Sequence, residues 1–154
     1  MNKLPTLSTG GAHERQLLCV GAFVLVLAGC GESKKKETGA LSKEAAAACT
    51  GSRLAEAPTL PSNWPDMAEV TLTQQSTQGP TQIVEGYFEG DVKSAHDDFK
   101  RELEGAGFTI LFDEAEENDA EVSWKGGGRS GQVAVRDECG EDGKVYVKIT
   151  NRPT

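Results

Sequence analysis

A short apolar run near the amino terminus most constrains how this chain can fold. The run, Leu17 to Ala28, reads LLCVGAFVLVLA and contains no charged side chain. As a helix its twelve residues would span about 18 Å, well short of the roughly 30 Å hydrocarbon core of a bilayer. A polar stretch with Lys3 and Arg15 precedes it. This arrangement is typical of a secretory signal peptide rather than of a membrane span.

A cysteine follows the run in a specific context, Leu27-Ala28-Gly29-Cys30. These residues resemble the lipobox of bacterial lipoproteins. The resemblance implies that Cys30 receives a diacylglycerol, with fatty acids such as palmitate, and that the Gly29–Cys30 bond is cleaved to remove residues 1–29. Two or three acyl chains, at about 0.8 kcal/mol per buried methylene, make a firm anchor. We therefore expect a lipid anchor in a bacterial membrane with the domain outside the cytoplasm. In Gram-negative lipoproteins an aspartate after the lipidated cysteine tends to hold the protein at the inner membrane, so the resemblance implies that Gly31 favours the outer membrane in such a host.

Residues 30–54 are poor in large apolar side chains and predict a flexible tether. Within it Ser42 can cap a short helix that Gly51 ends, and a helix of that length persists only if it docks.

The whole chain has a net charge of −8, whereas residues 31–54 carry +2 and residues 55–154 carry −11. An acidic domain lacks the basic surface that phosphates require, so we expect no nucleic-acid partner.

The four cysteines have different expected fates. Cys19 leaves with the signal peptide and Cys30 is consumed by lipid. Cys49 and Cys139 remain, and export to an oxidising compartment predicts a disulfide between them. The bond would close a loop of 90 residues, which loop-closure entropy values at roughly 4 to 5 kcal/mol. A redox-active pair normally has the close Cys-x-x-Cys spacing, so we expect a structural bond.

Three prolines in the stretch Ala57 to Pro65 oppose regular structure, so the sheet is expected to begin after it. Trp64 in this stretch is expected to plug one end of the core, and the alternative is a recognition aromatic.

Val70 and Leu72 alternate with threonines and predict a strand, followed by a polar turn over Gln74 to Pro80. Thr81 to Glu89 predicts a second strand. Further alternation predicts four more strands, near residues 108–112, 120–124, 133–135 and 145–149.

One amphipathic helix interrupts these strands. Asp91 is its expected N-cap, and Gly105 and Gly107 end it. Five residues share its expected buried face: Val92, Ala95, His96, Phe99 and Leu103. The resulting order ββαββββ predicts an α+β, two-layer domain over residues 55–154, with an antiparallel sheet and one main helix.

The chain contains only two histidines and so offers few candidates for a catalytic base. His96 is the only one expected after cleavage, and a general base there would need a partner such as Ser94 or Asp97. Residues one or two apart on a helix point in different directions, so we expect no hydrogen-bonded dyad between them. The sequence therefore favours a packed histidine and a protein that is not an enzyme and needs no cofactor.

An acidic run at residues 113–119 raises a metal hypothesis. Asp113, Glu116 and Asp119 could offer the oxygen ligands that Ca²⁺ prefers. The run does not match the spacing of an EF-hand loop, and runs of like charge are usually solvated turns. We therefore assign no metal ligand, and calcium binding stays an alternative.

These observations favour a membrane-anchored lipoprotein of the cell envelope with a non-enzymatic binding or scaffold domain. Its expected partners are membrane lipid, through acylated Cys30, and an envelope protein that contacts an exposed edge or face of the sheet. One alternative is a lipoprotein that binds calcium or another small ligand. Another is a small hydrolytic enzyme that uses His96.

Overall fold

The structure, a computed structural model, describes residues 42–141 and 143–154. The expected lipobox, the cleavage site at Gly29 and the modified Cys30 lie outside these residues. Two helices and six strands make up the described part: α1 (Lys43–Thr50), β1 (Val70–Gln78), β2 (Thr81–Glu89), α2 (Val92–Gly105), β3 (Thr109–Ala115), β4 (Asp119–Gly126), β5 (Arg129–Arg136) and β6 (Lys144–Pro153). Neither helix of this part is long and apolar enough to cross a membrane.

The six strands form one antiparallel sheet in the order β1-β2-β6-β5-β4-β3. The mixed α+β class is confirmed. The expected order ββαββββ is incomplete, because α1 precedes β1 and also packs on the sheet. α2 shares a core with Val147, whereas α1 packs with Tyr146. Neighbouring residues of a strand point to opposite faces. The helices therefore cover opposite faces, and the expectation of one helix on one face was wrong.

Local sequence explains α2. The Asp91 side chain accepts a hydrogen bond from the Ser94 backbone nitrogen at 2.8 Å, and the Ser94 hydroxyl accepts one from the Asp91 backbone in return. This reciprocal pair is a capping box. The five apolar-face residues predicted from the periodicity are all buried. Gly107, with φ at +86°, leaves the helical conformation just beyond the end of α2.

The Cys49–Cys139 disulfide explains how so short a helix as α1 is held. The bond joins α1 to the loop before β6, with the two Cα atoms 5.4 Å apart. Ser42 caps the helix as expected, because its Oγ accepts a hydrogen bond from the Ala45 nitrogen at 3.1 Å. Thr73 Oγ1 donates to the Ala48 carbonyl at the other end. The cross-link and these contacts make α1 part of the domain surface.

Two strands depart from the predicted pattern. β1 continues to Gln78, so the polar turn expected over Gln74–Pro80 shrinks to Gly79 and Pro80. The backbone of that polar stretch pairs with β2, and the exposed strand end tolerates its polar side chains. In β3 the register shifts between Ile110 and Phe112. The alternation that predicted Phe112 as an inward residue is broken there, and Phe112 is exposed.

Candidate binding site

The proline-rich segment, residues 53–67, lies over the core between α1 and β1 and contains no helix or strand. Hydrogen bonds with other elements hold it in place. The Leu54 nitrogen donates to the Leu72 carbonyl at 2.8 Å, and Asn151 Nδ2 donates to the Thr59 carbonyl at 3.1 Å. Asn63 Nδ2 donates to the carbonyl after α2, at Ala106. The segment is therefore a fixed wall despite its irregular backbone.

Trp64 anchors this wall to the core. Its ring meets Trp124 edge-on at 5.1 Å and Phe108 at 5.7 Å between centroids. The expected packing of Trp64 against one end of the core is therefore confirmed. Trp64 also borders a cleft, so the same ring contributes to a surface that a ligand can reach.

The cleft has a volume of about 490 Å³ and lies between the proline-rich segment, β1 and α2. Small-molecule sites typically fall between roughly 300 and 1,000 Å³ and are mostly apolar. The side chains that line this cleft share that character: Leu54, Leu60, Trp64, Met67, Leu72 and Phe99. Its charged lining residues Arg53, Glu56 and Asp66 are exposed. The arrangement suits an apolar group whose polar end reaches solvent.

Arg53 is the charged group that the sheet positions most firmly at this cleft. Its guanidinium donates to the Val70 carbonyl at 3.2 Å and to Thr71 Oγ1 at 3.3 Å. The lining residues include no histidine and no cysteine. The cleft can therefore bind an apolar ligand and orient it against a fixed guanidinium.

His96 does not line this cleft and lies in a separate cluster between α2 and β3. Its Nδ1 is 3.0 Å from Asp97 Oδ1, and its Nε2 is 3.5 Å from Asp113 Oδ2. The expectation that His96 and Asp97 could not meet was wrong. Nδ1 is the ring nitrogen nearer the backbone, and rotation of the two short side chains closes the angle between them. Ser94 is engaged in the capping box of α2.

Charge holds the same cluster together. Lys100 Nζ lies 2.9 Å from Asp113 Oδ2, and this contact is the main reason why the pKa of the Asp113 carboxyl is lowered. Lys93, and then His96, lower the pKa of Asp97. His96 Nε2 is buried within ion-pair distance of Asp113 Oδ2, but the contact lacks the geometry of a hydrogen bond. The cluster therefore links α2 to β3 through the Asp113 carboxylate, whereas Asp97 pairs with residues of its own helix.

The acidic residues considered for calcium are separated by their own partners. Asp113 is held by Lys100, and Asp119 Oδ1 accepts a hydrogen bond from Arg136 Nε at 3.0 Å. Glu116 is exposed. Within residues 42–141 and 143–154, no three His, Cys, Asp or Glu side chains form a group that could hold a metal ion.

Two further features were missed by the sequence analysis. Leu111 and Phe112, on the outer strand β3, are the large hydrophobic side chains exposed in the described part, by 60% and 50%. Glu85 and Tyr146 are buried together beside α1, and the Tyr146 hydroxyl donates to the Glu85 carboxylate. Both depend on strand register, which pairs residues far apart in the sequence.

No protein-family model, curated protein or solved structure matches this chain.

Proposed function

We propose that this chain is a bacterial envelope lipoprotein, anchored to a membrane by lipid on Cys30, whose folded domain binds a ligand or partner without catalysis. The lipobox residues Leu27 to Cys30 support the anchor. The Cys49–Cys139 bond supports an oxidising location, because such bonds persist outside the reducing cytosol. In a Gram-negative host the outer membrane is the proposed site.

The cleft under the proline-rich segment carries the binding proposal. It has the size and the apolar lining of a ligand site, and its walls are fixed by hydrogen bonds. The cluster around His96 lies elsewhere, so the imidazole does not face a ligand in the cleft. A binding domain explains this separation more simply than an enzyme does.

The anchor is tested by producing the full chain in a bacterial host with labelled palmitate. We expect wild-type protein to carry label and to sediment with membranes, and Cys30→Ala to lose both properties. Cys19→Ala is the matched control, because it removes a thiol that leaves with the signal peptide. Equal labelling of wild type and Cys30→Ala would contradict the anchor.

The cleft is tested by filling it. Ala57 is an exposed lining residue, so Ala57→Phe adds a ring to the cleft without opening the core. Ala68 is exposed but does not line the cleft, and Ala68→Phe is the control. With the apolar dye anilinonaphthalene sulfonate as probe, we expect Ala57→Phe to weaken binding about tenfold and the control to stay within about twofold. Equal binding by both variants would refute the cleft as the site.

The enzyme alternative is favoured by one observation, the two carboxylates that flank His96. A packed histidine and a catalytic one respond differently to substitution. We expect His96→Ala to lower the free energy of unfolding by about 1 to 3 kcal/mol, because it leaves a cavity and breaks the link to Asp113. A variant that unfolds like wild type but loses hydrolysis of a test ester would support the enzyme instead.

A further inference from the structure

We propose that the outer edge of β3 docks an extended, basic segment of a partner protein, which adds a strand to the sheet. This inference depends neither on the lipid anchor nor on the cleft. It rests on the position of β3, on its exposed apolar pair and on the charge around it.

β3 is a terminal strand, paired with β4 on one side only among the described strands. Its outward backbone N–H and C=O groups can therefore pair with an incoming strand. The apolar pair defined by Leu111 and Phe112 lies on this same strand. Scattered single apolar residues are ordinary on protein surfaces, whereas two adjacent ones on an open edge offer a partner area to bury.

The β-bulge explains why both members of the pair are exposed. Ile110 pairs with Trp124 and Phe112 pairs with Ser123, so Leu111 is the extra residue between them. A bulge interrupts the alternation of inward and outward side chains. It therefore places two consecutive large side chains toward solvent, where regular alternation would have exposed only one.

The charge at this edge selects the partner. Glu114, Glu116 and Glu117 are exposed and form no ion pair within residues 42–141 and 143–154. Glu114 also lies directly opposite Glu121 in the pairing of β3 with β4. Like charges directly opposite one another are destabilising. A lysine or arginine on an added strand would relieve this repulsion.

The same charge disfavours a second copy as the occupant. Self-pairing through β3 would bring a second set of unpaired carboxylates to one edge, in a domain that already carries a net charge of −11 over residues 55–154. Acidic side chains thus protect the edge from self-association while leaving it open to a basic segment. Phe112 and Glu114 are two residues apart and share a face, so the segment should alternate apolar and basic residues on its matching face.

The probe is a blocked peptide of about ten residues that repeats Lys-Thr-Val-Thr, long enough to pair along a strand of this length. Binding to the full chain is measured by titration and by amide chemical-shift changes. We expect saturable binding, shifts that centre on residues 109–117, and binding that weakens as salt is raised. A peptide with glutamate in place of lysine should bind at least about tenfold more weakly.

Two sets of variants locate the contact. Leu111→Thr combined with Phe112→Thr keeps strand-forming residues at exposed positions and should weaken binding about tenfold. Glu116→Gln combined with Glu117→Gln should weaken it about threefold to tenfold. Glu69→Gln combined with Glu89→Gln changes the charge equally at exposed positions away from β3 and should leave affinity within about twofold.

Backbone pairing is tested by methylating alternate amide nitrogens of the probe peptide. A peptide methylated on its bonding edge should lose binding, while one methylated on the opposite edge should keep it. The proposal is overturned if the probe does not bind, if both methylated peptides bind equally, or if the Leu111 and Phe112 variant binds like wild type. A concentration-dependent dimer that the same variant abolishes would overturn it in favour of a second copy.

Discussion

The phenol of Tyr146 donates a hydrogen bond to the carboxylate of Glu85, and both side chains are buried beside α1. Burial, and then the contact with Glu85, raises the pKa of the Tyr146 phenol, so it stays a donor across the neutral range. Lys148 Nζ lies 3.8 Å from the same carboxylate. The carboxylate is thus stabilised by one hydrogen bond and one cation. Removing either partner leaves the buried carboxylate with only one of these two interactions.

Tyr146→Phe is expected to lower the free energy of unfolding by about 1 to 3 kcal/mol, because it keeps the ring but removes the donor to Glu85. Tyr87 lies directly opposite Tyr146 in the sheet, and Lys144 sits over its ring at 4.5 Å from the centroid. Tyr87→Phe keeps that contact and should change stability by less than about 0.5 kcal/mol. Denaturant unfolding of both variants measures the difference. Equal losses would show that the hydrogen bond to Glu85 carries no special weight.

The disulfide should determine whether α1 stays docked. Replacing Cys49 and Cys139 together by serine is expected to lower the free energy of unfolding by about 2 to 4 kcal/mol, because the unfolded chain regains the freedom of a long loop. Hydrogen exchange should accelerate in α1 before it does in α2, whose capping box and buried face are independent of the bond. Dithiothreitol should reproduce the loss in wild type and leave the double variant unchanged. Equal protection of α1 with and without the bond would contradict this role.

The sequence predicted α2 closely because a helix is specified by neighbours. The Asp91 cap, the four-residue spacing of Ala95 and Phe99, and the glycines at and just beyond the end of the helix all act within a few residues of one another. The cysteine pair was predictable for a different reason, since the expected compartment and the elimination of Cys19 and Cys30 left only two thiols. Strand register determines neither the ends of α2 nor which two thiols remain.

What the sequence missed depends on contacts between distant residues. The polar stretch after Leu72 forms a strand only because β2 pairs with it, and the bulge at Leu111 appears only when β4 fixes the register. His96 lies on α2 and Asp113 on β3. The periodicity of each element predicts its buried face but not the contact between these two residues. Likewise the prolines of residues 53–67 predict an irregular backbone, but they do not predict the cleft beneath it.

The link between α2 and β3 predicts how stability responds to acid. The pKa of Asp113 is lowered from its ordinary value of 3.8, chiefly by Lys100. A lowered folded-state pKa means that the unfolded state binds protons first as pH falls. The stabilisation is therefore complete above the ordinary pKa and is lost as pH falls through the lower folded value.

Unfolding free energies measured from pH 7 to pH 2 test this link. Asp113→Asn should be less stable than wild type at neutral pH, and the difference should shrink toward zero at the acid end. Asp137 is exposed and forms no ion pair within residues 42–141 and 143–154, so Asp137→Asn is the control and should follow wild type throughout. A constant offset for Asp113→Asn at every pH would show that the residue acts through packing instead of charge.

Gly86 permits the close approach of β1 and β2, and its substitution gives the sharpest test of the sheet. A Cβ at this position would lie 2.0 Å from the Thr71 carbonyl oxygen and 2.8 Å from the Leu72 Cα, so backbone atoms would have to move. Gly86→Ala is expected to lower the free energy of unfolding by more than about 2 kcal/mol. Gly105, the last residue of α2, has open space at the same position, and Gly105→Ala should be neutral or stabilising by up to about 1 kcal/mol. Thermal and denaturant unfolding of the two glycine variants measures the sign and size of each change in stability. If Gly86→Ala were as stable as wild type, β1 would not lie against β2 in this register.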